Sequence, residues 1–586
     1  MSMMKDVNLL TLRLLVLCIV GASVLGAGRA VLGQAPESSA VGSPGATDPV
    51  YLSWQNQAGV AACGGCHYQA GGGFARPDLS FSRRDELKFW LANDKHAIAR
   101  RRVEPLTGEE ITDEAAALIR ELSLDSLPTD WFGASNALSR RICDKLGYDV
   151  NTSSGYAMFR DNCLTCHGGY RGAADNEVFA KAGGAQPGIS CNYCHQVDSN
   201  DAWVDMHGGT RAATEWRGLP PAQKTAAGMR DLVNVAHQAA SCYDCHIGNR
   251  AQNMFVSHVM YAAGHPPLPG IELQTFCAAM PQHWQNESQL HQSLANFAGR
   301  DEYFRVNFPA LFGGDEAPRL TPEQTYWNTR KILVGALAAK LHSTQLVAAS
   351  ALTPHWADYS LYDCTACHHE LREPSVRQAR GYAAAPGRPR PPEWTDALLN
   401  VALDVSVAQE ASGANLRSQI EAVEAKLAAA FSQTPFGEPR VVGPIAEELA
   451  AMLQSALERV QSKSISAIAA REVIRRLALT PKEMLLVYDS SRQVVWAIQA
   501  IAAELESQGE PLPAELVQKI AALSDVATTG LETKLPASRQ LFIYPDHLNA
   551  ELQRKAAYTP DRLAANLAII AAEIVVRPTA PAVAQR

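Results

Sequence analysis

The chain has 586 residues, with 52 basic and 60 acidic side chains and a formal net charge of −8. That balance argues against nucleic acid as a partner. Only 7% of residues are aromatic in a chain that is 47% hydrophobic, so aromatic side chains alone are a thin supply of bulky core for a protein of this length.

At the N-terminus Lys5 and Arg13 precede an uncharged run from Leu14 to Gly28, with Ala30 and Ala35 as small residues at candidate cleavage points. This is the layout of a secretory signal peptide over residues 1–35. The run is short for a membrane span, which needs about 20 apolar residues. Cys18 follows Leu17 and not a small residue, which speaks against a lipoprotein anchor. Membrane contact is therefore expected only if this segment is retained. Residues 36–50, rich in Ser, Gly, Pro and Ala, read as a flexible leader.

Residues 51–371 hold five copies of Cys-x-x-Cys-His: Cys63, Cys66 and His67; Cys163, Cys166 and His167; Cys191, Cys194 and His195; Cys242, Cys245 and His246; Cys364, Cys367 and His368. The pattern is that of c-type haem attachment, in which the two thiols bind the porphyrin and the following histidine reaches the iron. Zinc sites pair Cys/His hooks at short spacing; here the hooks are odd in number and each carries the same trailing histidine. Disulfides have no need of that histidine. Five covalently attached haems c, with their iron, are expected, and their macrocycles would supply the bulky apolar core. Cys143 and Cys277 lie outside these motifs, as a disulfide pair or as two buried thiols.

The segments between motifs read as helices. Leu87, Trp90, Leu91 and Ile98 recur at helical spacing between Arg84 and Arg101, with Phe89 and His96 a heptad apart on another face. Thr321-Pro322-Glu323-Gln324 is a helix start, and the helix beyond it runs through Ile332, Leu333, Leu337 and Leu341. Residues 372–392 shift to Pro, Arg, Gly and Ala and read as a linker or wrapping loop. Residues 393–586 contain no cysteine and one histidine, His547. Their apolar periods (Ile445, Leu449, Met452, Leu453, Ala456; Val494, Ile498, Ile501, Leu505; Leu563, Leu567, Ile570, Ile574) predict a helical bundle domain. Thr480-Pro481 and Thr559-Pro560 add further helix starts. The fold class expected is mainly α with little sheet, a multihaem domain followed by a helical bundle. A chain ending near Arg380 is expected to keep every haem motif.

Eleven histidines remain after the five in the motifs, enough to give each iron a second axial imidazole. His96, His207, His258 and His265 lie near motifs on helices or Gly-flanked turns and are the expected second ligands, with His369 serving a neighbouring haem. His237, His283 and His342 stand in reserve. His291, His355 and His547 are expected to be structural or exposed.

Several stretches around these residues resemble the cytochrome c-554 family of multihaem cytochromes. They are Trp90-Leu-Ala-Asn-Asp-Lys-His96-Ala, Cys163-Leu-Thr-Cys-His-Gly, Gly188-Ile-Ser-Cys-Asn-Tyr-Cys-His195 and Gly228-Met-Arg-Asp-Leu232. Others are Cys242-Tyr-Asp-Cys-His-Ile-Gly-Asn249, Met260-Tyr-Ala-Ala-Gly-His-Pro-Pro-Leu268, Pro281-Gln-His-Trp284 and Tyr362-Asp-Cys-Thr-Ala-Cys-His-His-Glu-Leu371. The resemblance covers about residues 50–370. It implies a mostly helical fold, closely stacked haem pairs and electron transfer among periplasmic redox partners. Tetrahaem members have one haem fewer, so ligand pairing does not carry over one for one.

The expected role is a periplasmic electron carrier between a donor and an acceptor redox protein. Haems with two histidine ligands have no open coordination position, so no catalytic residue is assigned. The alternative is a multihaem oxidoreductase acting on a small nitrogen or sulfur compound at one five-coordinate haem, and the resemblance extends to relatives of hydroxylamine-oxidising enzymes. The Cys-x-x-Cys-Lys signature of nitrite-reducing multihaem enzymes is absent.

Overall fold

The structure, a computed structural model, describes residues 67, 86–99, 130–169, 188–196, 202–208, 212–284, 300–308, 326–369, 387–407, 411–528, 558 and 560–576, with 371, 373, 375, 378 and 381 in the Pro-rich segment. The signal and leader segments, Cys63, Cys66, the Thr321 and Thr559 helix starts, His291 and His547 lie outside the described residues. Among the described residues the chain is mainly helical. Extended pairing is limited to two isolated bridges, Gln196 with Met229 and Asn249 with Met254.

Apart from the 17-residue α2, the N-terminal helices are short: α1 (Glu86–Asn93), α2 (Asp130–Leu146), α3 (Ser153–Phe159), α4 (Cys191–His195), α5 (Ala202–Gly208), α6 (Ala212–Gly218), α7 (Pro221–Ala226), α8 (Val235–Tyr243), α9 (His258–Ala263), α10 (Leu273–Ala279) and α11 (Arg300–Asn307). Two small cores serve this region, one of Cys143, Phe159 and Leu164 and one of Ile189, Tyr193 and Met254. Side-chain caps begin several of these helices. Thr152 accepts from the Gly155 N–H, Asn234 from Ala236 and His237, Ser257 from Met260, and Glu272 from Gln274 and Thr275. Such caps satisfy backbone donors that a helix start leaves open.

The large core is built on α12 (Trp327–Ala351). By length and composition this helix is apolar enough to cross a membrane, yet most of its residues are buried inside the protein. Ile332, Leu333, Val334, Leu337 and Leu341 cover more than one face and are all buried, the pattern of a helix enclosed on all sides. Around it pack α8 and α10 from the motif region. From the C-terminal region come α13 (Leu399–Val407), α14 (Ala411–Gln433), α15 (Pro439–Ser462), α16 (Ala467–Ala478), α17 (Tyr488–Ser507), α18 (Ala514–Thr528) and α19 (Pro560–Glu573), some directly on α12 and some through one another. The expected apolar stripes fall where helices form: Leu449, Leu453 and Ala456 are buried in α15, Val494, Ile498, Ile501 and Leu505 in α17, and Leu563, Leu567 and Ile570 in α19. Thr480-Pro481 opens only a 3-10 turn, Lys482–Leu485, and the α-helix starts later, at Tyr488.

The Pro-rich segment changes composition without dividing this core, since one apolar cluster runs from Val235 through α12 to Ile574. Polar contacts cross the same line. The Glu504 carboxylate of α17 accepts from the Asn328 and Thr329 N–H groups at 2.6 and 2.9 Å and from Thr329 Oγ1 at 2.6 Å, closing the N-terminus of α12. Trp356 Nε1 donates to Gly437 O at 3.1 Å and Tyr362 OH to Phe436 O at 2.6 Å. The segment itself wraps: Arg388 Nε donates to Ser432 O at 2.9 Å and the Asp363 N–H to Arg390 O at 2.8 Å. A chain cut near Arg380 would therefore lose the covering of α12. Cys143 and Cys277 are both free thiols, buried in separate cores.

Candidate haem-ligand pairs

A helical turn explains the Cys-x-x-Cys-His spacing. Positions i, i+3 and i+4 share a face, so two thiols and an imidazole are presented together. Each described motif has such a turn. Cys163 lies in a π-turn, Arg160–Leu164, that continues into the turn Thr165–His167. Motif three is α4 itself. Cys242 ends α8, and Cys245 and His246 lie in the π-turn Asp244–Gly248. Cys364 starts a 3-10 turn whose Asp363 cap accepts from the Thr365 N–H at 3.0 Å. Tyr243 inside motif four donates to Gly335 O at 3.1 Å, pinning that motif to α12.

Every motif histidine faces a second imidazole. Ring centroids are 6.5 Å apart for His67 and His207, 6.4 Å for His167 and His265, 6.3 Å for His195 and His283, 6.3 Å for His246 and His96, and 6.4 Å for His368 and His258. An imidazole–metal bond is about 2.0 Å and a ring nitrogen lies about 1.1 Å from its ring centre, so two imidazoles on opposite sides of one ion have centroids about 6.2 Å apart. The five gaps match that span. Among the described residues no three His, Cys, Asp or Glu side chains converge as a metal site, so these pairs suit an ion whose other ligands come from a macrocycle. We number the pairs as sites 1 to 5 in the order of their motif histidines.

No family model, curated protein or solved structure matches this chain.

Three of the second imidazoles, His207, His265 and His96, are aimed by local hydrogen bonds through Nδ1. His207, on α5, donates to Trp203 O at 2.8 Å and stacks on the Trp203 ring at 4.9 Å. His265 donates to Pro266 O at 2.7 Å, following a reversal at Gly264, whose φ of 122° a side chain rarely adopts. His96 sits in the 3-10 turn Lys95–Ile98, and both its N–H and its Nδ1 bond Asp94 Oδ1 at 2.8 Å. Burial pushes the Asp94 carboxyl up, but its bonds to His96 outweigh this and hold it below the usual carboxylate range. On the motif side, His67 Nδ1 bonds Glu86 at 2.9 Å. A hydrogen-bonded Nδ1 fixes the tautomer that leaves Nε2 free to ligate. Burial pushes His195 and His246 down to about 4 and lowers His265, so these rings are neutral, as a metal ligand requires.

The pairing differs from sequence proximity in two ways. His283, held in reserve, faces His195, whereas His369 stands outside the five pairs, beside a His368 that faces His258. His369, expected at a neighbouring site, would meet motif histidines that each already face another imidazole. Moreover, no second imidazole faces the motif that it follows in sequence. His96 follows motif one and faces motif four; His207 follows motif three and faces motif one. Of the other reserves, His237 is exposed on α8. His342 is half-buried on α12, donating to Ala338 O at 2.9 Å with its Nε2 3.8 Å from Asp244. His355 is exposed.

The sites adjoin one another. His195 of site 3 is within electrostatic reach of His67 and His207 of site 1. Cys166, Cys194 and Cys245, from three motifs, pack round Tyr193 and Met254. Tyr193 OH lies 3.3 Å from Cys245 Sγ and 3.4 Å from Met254 Sδ, and Cys166 hydrogen-bonds Cys245. Tyr261 of α9 has its ring 5.8 Å from His265 of site 2 and is within reach of Cys364 of site 5.

Gly188 determines how α1 meets motif three. The Ile189 N–H donates to His96 O at 2.8 Å, and a Cβ on Gly188 would fall 2.1 Å from that same oxygen. Only glycine allows this approach.

Proposed function

We propose that this chain is a periplasmic pentahaem c-type cytochrome that carries electrons between redox proteins, with two histidines at each iron. The observation that carries the reading is the set of five histidine pairs at 6.3–6.5 Å, one for each attachment motif. Haem c would supply the one-electron couple at each site. The chain's own residues would bind it through paired cysteines, with burial favouring the neutral rings of His195, His246 and His265 and Nδ1 bonds orienting His67, His96, His207 and His265. The contacts between sites support a path in the order 1, 3, 4, 2, 5. The Tyr193–Met254 sulfur cluster is then the point where sites 2, 3 and 4 meet. The periplasmic location rests on the N-terminal signal and on covalent haem attachment outside the cytoplasm.

A catalytic haem needs an open position and a nearby proton donor. Each motif histidine faces an imidazole, which favours the carrier over an oxidoreductase. Spin state tests this: electron paramagnetic resonance of the oxidised protein should give low-spin signals only, and one high-spin haem would move the assignment to the enzyme.

A further inference from the structure

The second imidazoles of sites 2 and 4 are held by different kinds of acceptor. At site 2, His265 Nδ1 bonds a neutral carbonyl, Pro266 O, at 2.7 Å. At site 4, His96 Nδ1 bonds the carboxylate of Asp94 at 2.8 Å. The same Oδ1 accepts from the His96 N–H at 2.8 Å, so one oxygen fixes both the backbone and the ring of the ligand. The Asp94 backbone is itself tied down, its N–H donating to Trp90 O at 2.8 Å and its carbonyl accepting from the Ala97 N–H at 3.1 Å. Capping the turn requires only an amide or hydroxyl oxygen; here a carboxylate stands, its side chain 2% exposed. Among the described residues its other oxygen, Oδ2, is buried without a hydrogen-bond partner, and no Lys or Arg pairs with Asp94. A buried carboxylate is costly unless positive charge faces it, and a ferric centre on His96 would be such a charge. Glu86, bonded to His67 of site 1, is the more exposed of the two ligand-bound carboxylates, at 16%.

We propose that Asp94 is a positioning residue whose charge lowers the reduction potential of site 4, an inference that rests on the haem reading above. One electron from a one-electron donor converts Fe(III) to Fe(II) there, with no bond formed or broken and no proton taken up. The oxidised centre carries one more positive charge, so the carboxylate favours it over the reduced one. The hydrogen bond acts in the same direction, because it makes the imidazole a more basic ligand. Across the ring from Oδ1, an ion about 2.0 Å beyond Nε2 lies about 7 Å from the carboxylate. A unit charge at that distance, through an effective dielectric of about 20, changes the equilibrium constant for reduction by about tenfold to a hundredfold. For a one-electron couple that is about 60–120 mV. In the proposed order of sites, site 4 stands between sites 3 and 2, so Asp94 sets the height of a step in the middle of the path.

Spectroelectrochemical titration of the full-length holoprotein at one fixed pH, after counting covalent haems by mass and checking spin state, tests this. Asp94→Asn keeps an oxygen acceptor for His96 and removes the charge. Five low-spin haems are expected, with one of five one-electron waves raised by about 60–120 mV and the other four unmoved. The raised wave should be the one that His96→Met displaces, since that variant changes the ligand of site 4 itself. Asp94→Glu keeps the charge and should hold the wave low, and this decides the matter if the Asn variant does not fold. Conversion of site 4 to high spin in Asp94→Asn would mark a purely structural role and overturn the proposal. So would five low-spin haems with no wave raised, a raised wave that His96→Met leaves in place, or a wave raised by the full amount in Asp94→Glu. Fewer than five haems in the wild type would instead overturn the haem reading.

Discussion

Replacing His283 by Ala tests the pairing at the position that sequence proximity passed over. His195 and His283 face each other at 6.3 Å, and the substitution deletes one imidazole while leaving His195, Cys191 and Cys194 in place. Site 3 is one of five, so one-fifth of the haem should pass from low to high spin at neutral pH, with the other four-fifths unchanged. The mass should still report five covalent haems, because attachment depends on the cysteines. Quantified electron paramagnetic resonance with the optical spectrum reads the fraction directly, and added imidazole should restore the low-spin signal by entering the vacated space. His369→Ala, beside the ligand of site 5, should leave all five low-spin. The pairing is refuted if His283→Ala remains wholly low-spin, or if His369→Ala loses one-fifth of the signal.

Gly188→Ala should displace the turn that carries His96, since the new Cβ would meet His96 O at 2.1 Å. Site 4 should then lose its low-spin signature, and an unaltered spectrum would contradict this. Glu504→Ala leaves the N-terminus of α12 without its buried acceptor for three donors, a loss of about 3–5 kcal/mol for a buried charged hydrogen-bonding group. Denaturant unfolding should show it, and a change below about 1 kcal/mol would exclude a latch between α17 and α12. A chain stopped after Pro392 exposes the α12 surface that α15 covers and removes Phe436 and Gly437 from Tyr362 and Trp356. We expect aggregation and a disturbed site 5, and a soluble monomer with five unperturbed sites would refute the shared core.

The attachment motifs were legible in the sequence because their chemistry fixes a local spacing of three residues and then one. The C-terminal helices were legible because Leu449 and Leu453 of α15, or Ile498, Ile501 and Leu505 of α17, repeat at the helical period that burial of one face demands. The ligand pairing was not, because it depends on tertiary approach. His207 reaches His67, and His258 reaches His368, across more than one hundred residues of chain. Proximity to a motif therefore identified four histidines now found in pairs, but not the partners they face. His283 had no neighbouring motif to draw attention, only the setting Pro281-Gln-His283-Trp284. The shared core was hidden for a different reason. A helix apolar on every side, such as α12, has no stripe to tell which elements cover it, and the Pro-rich segment marks a change of composition across which the apolar core continues.

The proposed function stands on five covalent haems, each held between two histidines. The direct measurement is the spin-state composition of the mature oxidised holoprotein, with its mass determined on the same sample. A mass increment of five haems and low-spin ferric signals accounting for all of the iron are expected. Five haems with one high-spin centre would contradict the bis-histidine arrangement, and three haems or fewer from a host competent in haem attachment would contradict the haem assignment itself.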